Sequence, residues 1–145
     1  MAKYRYEMFG NLVYGESLTY EELITHEQDL MAGLTEHLQD MGASHIDFRP
    51  LGDALYVQCV FDDQDARNFE EVCAAAAGLA GDQMEGRLLF FGRDLGRLYC
   101  FFMADGKWQG GRLSLPTPRQ GLEKTPPEMQ YATSRNRKKN TEGKS

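Results

Sequence analysis

The sequence predicts an α+β fold: a ferredoxin-like split β-α-β-β-α-β core, extended by a C-terminal antiparallel meander, with two helices on one face of the sheet. Three observations predict it. Two segments carry apolar residues at helical spacing, and six shorter ones are apolar and mostly alternating. They follow one another as β-α-β-β-α-β-β-β, with glycine-containing turns between most of them.

Lys3–Phe9 alternates, with Tyr4, Tyr6 and Met8 on one face and Arg5, Glu7 and Phe9 on the other, and reads as a strand. Gly10-Asn11 then reads as a turn, after which Leu12–Tyr14 pairs back. Thr19 and Glu22 form a T-x-x-E capping box, in which each side chain bonds the other residue's backbone N–H; Thr25 and Gln28 offer a second start. Leu23, Ile24, Leu30, Met31, Leu34, Leu38 and Met41 recur at helical spacing, and Gly42 is a stop because glycine takes the left-handed conformation cheaply. The expectation is a helix over 19–41, with Thr25 as the place for any break. Its polar face is expected to carry Glu21, Glu27, Asp29, Glu36 and Asp40.

His45–Leu51 alternates with Ile46 and Phe48 inward, Gly52-Asp53 turns the chain, and Ala54–Phe61 alternates with Leu55, Val57, Cys59 and Phe61 on one face. This is a hairpin. Asp62, Asp63 and Asp65 open a second helix, placed against the positive end of its dipole. Phe69, Val72, Cys73, Ala76 and Leu79 give its apolar stripe, and Gly78 or Gly81 ends it. Arg87–Phe91, Arg97–Met103 and Lys107–Leu115 form the meander, with turns at Asp94-Leu95-Gly96 and Asp105-Gly106. The second is a strong type I′ signal.

The last strands are apolar on both sides, at 88–91 and 98–103, and such runs mean burial on both faces. The face away from the helices is expected to show Tyr99 and Phe101 beside Arg87, Arg97 and Arg112. Its cover is the hairpin, the chain's own tail, a second copy of the chain or a ligand.

Residues 1–115 read as one α+β domain, and 116–145 as a basic, proline-containing tail, flexible at least beyond Tyr131. The tail holds four of the five prolines and a net charge of +4, with too little apolar surface to offset its ordering entropy. Residues 1–115 carry nine basic and nineteen acidic side chains, a net charge of −10. The stretch from Glu16 to Glu85 alone holds −14, whereas Arg87 to Arg112 holds +3.

Composition excludes several classes. At 41% hydrophobic, the 145-residue chain has apolar residues enough for a core without disulfides or metals. No run of about 18 apolar residues exists, so no membrane span is expected. The charged N-terminus shows no secretory signal, and a cytoplasmic location is the default. Cys59, Cys73 and Cys100 lie in apolar segments without C-x-x-C spacing and read as buried hydrophobes.

No motif carries chemistry. His26 and His37 are about 16 Å apart on a helix, too far to share a metal, and His45 stands elsewhere. The Asp62–Asp65 cluster lacks the glycine and glutamate of a calcium loop. No G-x-S-x-G elbow or Walker pattern is present. No catalytic residue, metal or cofactor is therefore expected, and the sequence points away from an enzyme. The first reading is a non-catalytic protein-interaction module, an adaptor, inhibitor or regulatory subunit. It would bind a basic protein surface through its acidic helix faces at Glu27, Glu36 and Asp40, with a second surface at Arg87, Arg97 and Trp108 and a homodimer contact through the sheet. The alternatives are a small-molecule sensing domain, or nucleic-acid binding through the Arg/aromatic sheet face and basic tail. The net charge of the fold and the absence of an RNP pattern argue against nucleic acid.

Overall fold

The computed structural model describes residues 6–62, 66–93 and 96–124 of the chain. By its contacts the chain separates into two units, Met1–Leu115 and Pro116–Ser145. The first unit is α+β, with an antiparallel sheet of six strands in the order β2-β3-β1-β4-β5-β6. Along the chain these are β1 (Tyr6–Tyr14), α1 (Tyr20–Asp40), β2 (Ala43–Pro50), β3 (Ala54–Phe61), α2 (Ala66–Ala80), β4 (Met84–Gly92), β5 (Arg97–Ala104) and β6 (Lys107–Ser114). The second unit holds α3 (Pro118–Glu123), started by a capping box of Thr117 and Gln120, in a segment the sequence reads as irregular.

The first strand corrects the sequence reading. Gly10-Asn11 is not a turn: β1 runs straight through it, pairing with β3 on one side and β4 on the other. A Cβ on Gly10 would stand 2.5 Å from Cγ1 of Val57 and 2.8 Å from Cδ2 of Leu88. The glycine is there because two neighbouring strands' side chains close over it, a tertiary demand that local turn chemistry does not see.

Helix α1 is unbroken at Thr25. Thr19 accepts from the Glu22 N–H while Glu22 accepts from the Thr19 N–H, and Gly42 (φ +84°) stops the helix. Helix α2 runs past Gly78 and ends at Gly81 (φ +63°). The Asp105-Gly106 turn has positive φ at both positions, +55° and +72°, as a type I′ hairpin requires. Tyr4 and Arg5, the Asp63 and Asp65 caps, the Asp94-Leu95 turn and the tail beyond Lys124 lie outside the described residues.

One contiguous core joins both helices to one face of the sheet. Leu30, Leu34 and Leu38 of α1 and Phe69, Val72, Cys73 and Ala76 of α2 pack on Met8, Leu12, Leu55, Val57, Leu88, Phe90 and Phe101. Phe69 stacks on Phe90 with ring centroids 4.3 Å apart and meets Tyr6 edge-on at 4.8 Å. All three cysteines are free and buried; burial pushes the Cys59 and Cys73 thiols up to about 12. Cys100 is raised by burial too, with Arg87 opposing.

The meander corrects a second expectation. Phe101 pairs with Leu88 and Phe102 with Arg87. Tyr99 and Phe101 therefore face the helices, and Leu98, Cys100 and Phe102 share the open face with Arg87, Leu89 and Phe91. Both sets are apolar, so alternation alone could not tell which turned inward.

Candidate functional site

The open face of the sheet brings polar and aromatic side chains together. A cross-strand row runs over four adjacent strands: Arg49 opposes Tyr56, Tyr56 opposes Asn11, and Asn11 opposes Arg87. The row below it reads Asp47, Gln58, Phe9, Leu89. Together these residues line a groove of about 440 Å³. That volume lies in the range of small-molecule sites.

Two features of the backbone build the groove. A bulge in β2 breaks the register between Ser44 and Asp47, and His45 within it takes the left-handed conformation (φ +54°). Ala43 points to the helix side opposite Phe61, and so does Phe48, opposite Val57. The extra residue thus switches the alternation and turns Asp47 and Arg49 to the open face. Without it, Arg49 would project toward the helices. The second feature is Gly10, which lets β1 lie flat between β3 and β4 and keeps Phe9 and Asn11 in register with their neighbours on both sides.

The groove is apolar at its floor and cationic at both ends. Phe9 and Tyr56 are 39% and 43% exposed, more than aromatic side chains with a covered face would be. Phe9 is held edge-on by Phe91 at 5.7 Å. Arg49 leans on Asp47, Nε to Oδ2 3.5 Å, in an exposed pair that orients the guanidinium more than it stabilises the fold. Arg87 has no ion-pair partner among the described residues. The backbones of Arg49 and Arg87 are three strand spacings apart, about 14 Å, so their side chains flank the stretch of groove that lies over β3 and β1.

Of the residues expected from sequence, only Glu36 and Asp40 share a face. Glu27 is buried, 6% exposed, and Oε2 accepts a 2.6 Å hydrogen bond from the Tyr14 hydroxyl. It is not part of an acidic binding face: nine residues separate it from Glu36, which is half a turn out of phase on a helix, so the two point to opposite sides. Spacing puts Glu27 in the stripe of Leu23, Leu30, Leu34 and Leu38. Glu36 and Asp40 are exposed and share a face. Arg87 lines the groove, whereas Arg97 and Trp108 belong to the opposite face of β5 and β6, Trp108 packing on Phe101 at 5.9 Å. Arg87, Arg97 and Trp108 therefore form no common surface.

Phe9, Asn11, Arg49, Tyr56 and Gln58 escaped the sequence reading. The alternation of β3 did place Tyr56 and Gln58 on one outward face; the bulge that delivers Arg49 has no local signature without a glycine. A second recess, of about 340 Å³, has the opposite sign, with Glu16, Asp82, Glu85 and Asp105 in its wall. On α1, Nε2 of His26 is buried with no hydrogen-bond partner among the described residues. No helix among them is long and apolar enough to cross a membrane, and no group of His, Cys, Asp and Glu among them is arranged to hold a metal ion.

Comparison with known proteins finds no matching family model, curated protein or solved structure.

Proposed function

We propose that this chain is a non-catalytic binding module that holds a small, planar, anionic molecule on the open face of its sheet. The observation that supports it is the row Arg49–Tyr56–Asn11–Arg87. Aromatic faces at Phe9 and Tyr56 suit a flat ring, and Asn11 and Gln58 offer donors and acceptors at its edge. The two guanidinium groups suit a carboxylate or a phosphate. A small ligand fits better than a polymer, because the domain around this basic groove is strongly acidic and repels a phosphate backbone. The strand order is consistent with a ferredoxin-like split β-α-β core, in which the face away from the helices is the free one.

Titration calorimetry with a nucleoside monophosphate and with an aromatic carboxylate tests this reading. Binding by either is expected, weakened about tenfold or more in Arg87→Ala, since a hydrogen bond to a charged group contributes about 1.5–3 kcal/mol, and weakened also in Tyr56→Ala, which removes an aromatic face. Failure of every planar anion to bind overturns it. Far tighter binding of a single-stranded oligonucleotide than of the monophosphate would transfer the face to nucleic acid.

A second reading keeps the protein-interaction module. Glu21, Glu36 and Asp40 of α1 and Glu70 and Glu71 of α2 are exposed, and the recess at Glu16, Asp82, Glu85 and Asp105 extends the same sign. A basic protein surface is the complementary partner, steered by the field of the clustered acids. Glu36→Gln with Asp40→Asn should then slow capture of such a partner and flatten its salt dependence; an unchanged on-rate removes this reading.

A further inference from the structure

We infer that β6 is a docking edge for a second copy of the same chain, which pairs with it antiparallel about a two-fold axis at Gly110. The two edges of the sheet differ. At one edge β2 is protected by its bulge, by left-handed His45 and by Pro50, devices that discourage strand addition. At the other edge β6 has eight residues in unbroken register with β5, no proline and no bulge, and every residue is exposed.

The hydrogen-bond phase of β6 is fixed. A two-residue turn at Asp105-Gly106 makes Ala104 and Lys107 a hydrogen-bonded pair. At the far end the Leu115 N–H donates to the Gly96 carbonyl, in the same phase. Odd-numbered residues of β6 thus bond to β5, and the N–H and C=O groups of Trp108, Gly110 and Arg112 point outward.

Those three positions are self-complementary. With Gly110 opposite Gly110 of the second copy, Trp108 stands opposite Arg112, and Arg112 opposite Trp108. Every such pair is a hydrogen-bonded one, giving about six backbone bonds. The axis is perpendicular to the sheet, so each Trp108 lies on the same face as the guanidinium opposite it, a cation–π pair made twice. Gly110 itself is required by the chain's own β5, where a side chain would collide with the Cys100 carbonyl and the Phe101 ring, and it leaves the dyad free of side chains. The result is one continuous twelve-stranded sheet, formed from the six strands of each copy, with the grooves of both copies left open. The inference is independent of what the groove binds.

The phase gives the test. In Arg112→Pro the lost N–H is one that makes no bond to β5, so the proline suits an edge and spares the fold. Sedimentation of the full chain should give twice the chain mass, and Arg112→Pro should return it to a monomer with its circular dichroism unchanged. Amide exchange on the unsubstituted chain should find the Trp108, Gly110 and Arg112 N–H groups protected in the dimer and free on dilution. A monomer at submillimolar concentration overturns the inference. So does a dimer in which those three amides exchange freely, or one that survives Arg112→Pro. If the proline variant does not fold, the exchange pattern decides alone.

Discussion

The Tyr14 hydroxyl donates to Oε2 of Glu27 across 2.6 Å, tying the end of β1 to the buried side of α1. Burial raises the Tyr14 hydroxyl above its usual range, and the hydrogen bond and charge of Glu27 raise it further. Removing one partner strands the other without water. Tyr14→Phe is expected to cost about 1–3 kcal/mol in urea denaturation, the penalty of a buried unpaired acceptor. Glu27→Gln keeps an acceptor for the hydroxyl and should cost less. Equal stability of Tyr14→Phe and the unsubstituted chain would mean that Glu27 is solvated.

At Gly10 the expected outcome is overpacking. Gly10→Ala places a methyl 2.5 Å from Val57 Cγ1, and the two flanking strands must give way. The loss should be about 1–3 kcal/mol by thermal or chemical denaturation, although alanine is otherwise the better strand residue. A gain in stability would show that Val57 and Leu88 rotate aside freely.

His45 gives a prediction of opposite sign. Its left-handed backbone is strained for any side chain, and glycine relieves that strain. His45→Gly should leave stability unchanged or raise it by up to about 1 kcal/mol. Groove binding should persist, because the bulge that turns Arg49 outward is kept.

Alkali should destabilise the fold through its thiols. Cys59 and Cys73 ionise near 12 in the folded chain and near 9 when exposed. A raised folded value means that the stabilisation is complete below the unfolded value and is lost as pH climbs from about 9 towards about 12. Cys73→Ala should flatten that decline by up to about 1.4 kcal/mol per pH unit, one proton's worth. Parallel curves for the two proteins would refute it.

Truncation after Leu115 should move the thermal midpoint by less than about 5 °C, since the whole sheet and both helices of the core belong to the first unit. A larger fall would show that the second unit contributes to folding.

What was legible in the sequence was whatever local chemistry decides. The Thr19–Glu22 capping box, the Gly42 stop and the Asp105-Gly106 turn each satisfy backbone groups within a few residues, so their signals are complete in a short window. Gly10-Asn11 failed because the same dipeptide that favours a turn also fits a crowded central strand, and only Val57 and Leu88 decide between them. Glu27 reads as exposed by its charge, whereas its phase with Leu30, Leu34 and Leu38 puts it on the buried stripe. The groove was legible only in pieces, in Arg87 and in the outward alternation of β3: its assembly depends on four strands in register and on a bulge, and each strand alone shows only one or two of its residues.

The position of β1 has a consequence for how the chain is made. Tyr6 pairs with Phe61 on one side and with Gly92 on the other, so β1 sits between two strands that come much later in the chain. During synthesis α1 can curl on its own capping box, but the segment Tyr6–Tyr14, apolar on alternate residues, gains its first neighbour only when the chain has grown through β3 and its second only after β4. Folding of this domain is therefore governed by long loop closures and belongs with slow, non-local topologies. Its vulnerable interval is translation itself, when an unpaired central strand is available to any other edge in reach.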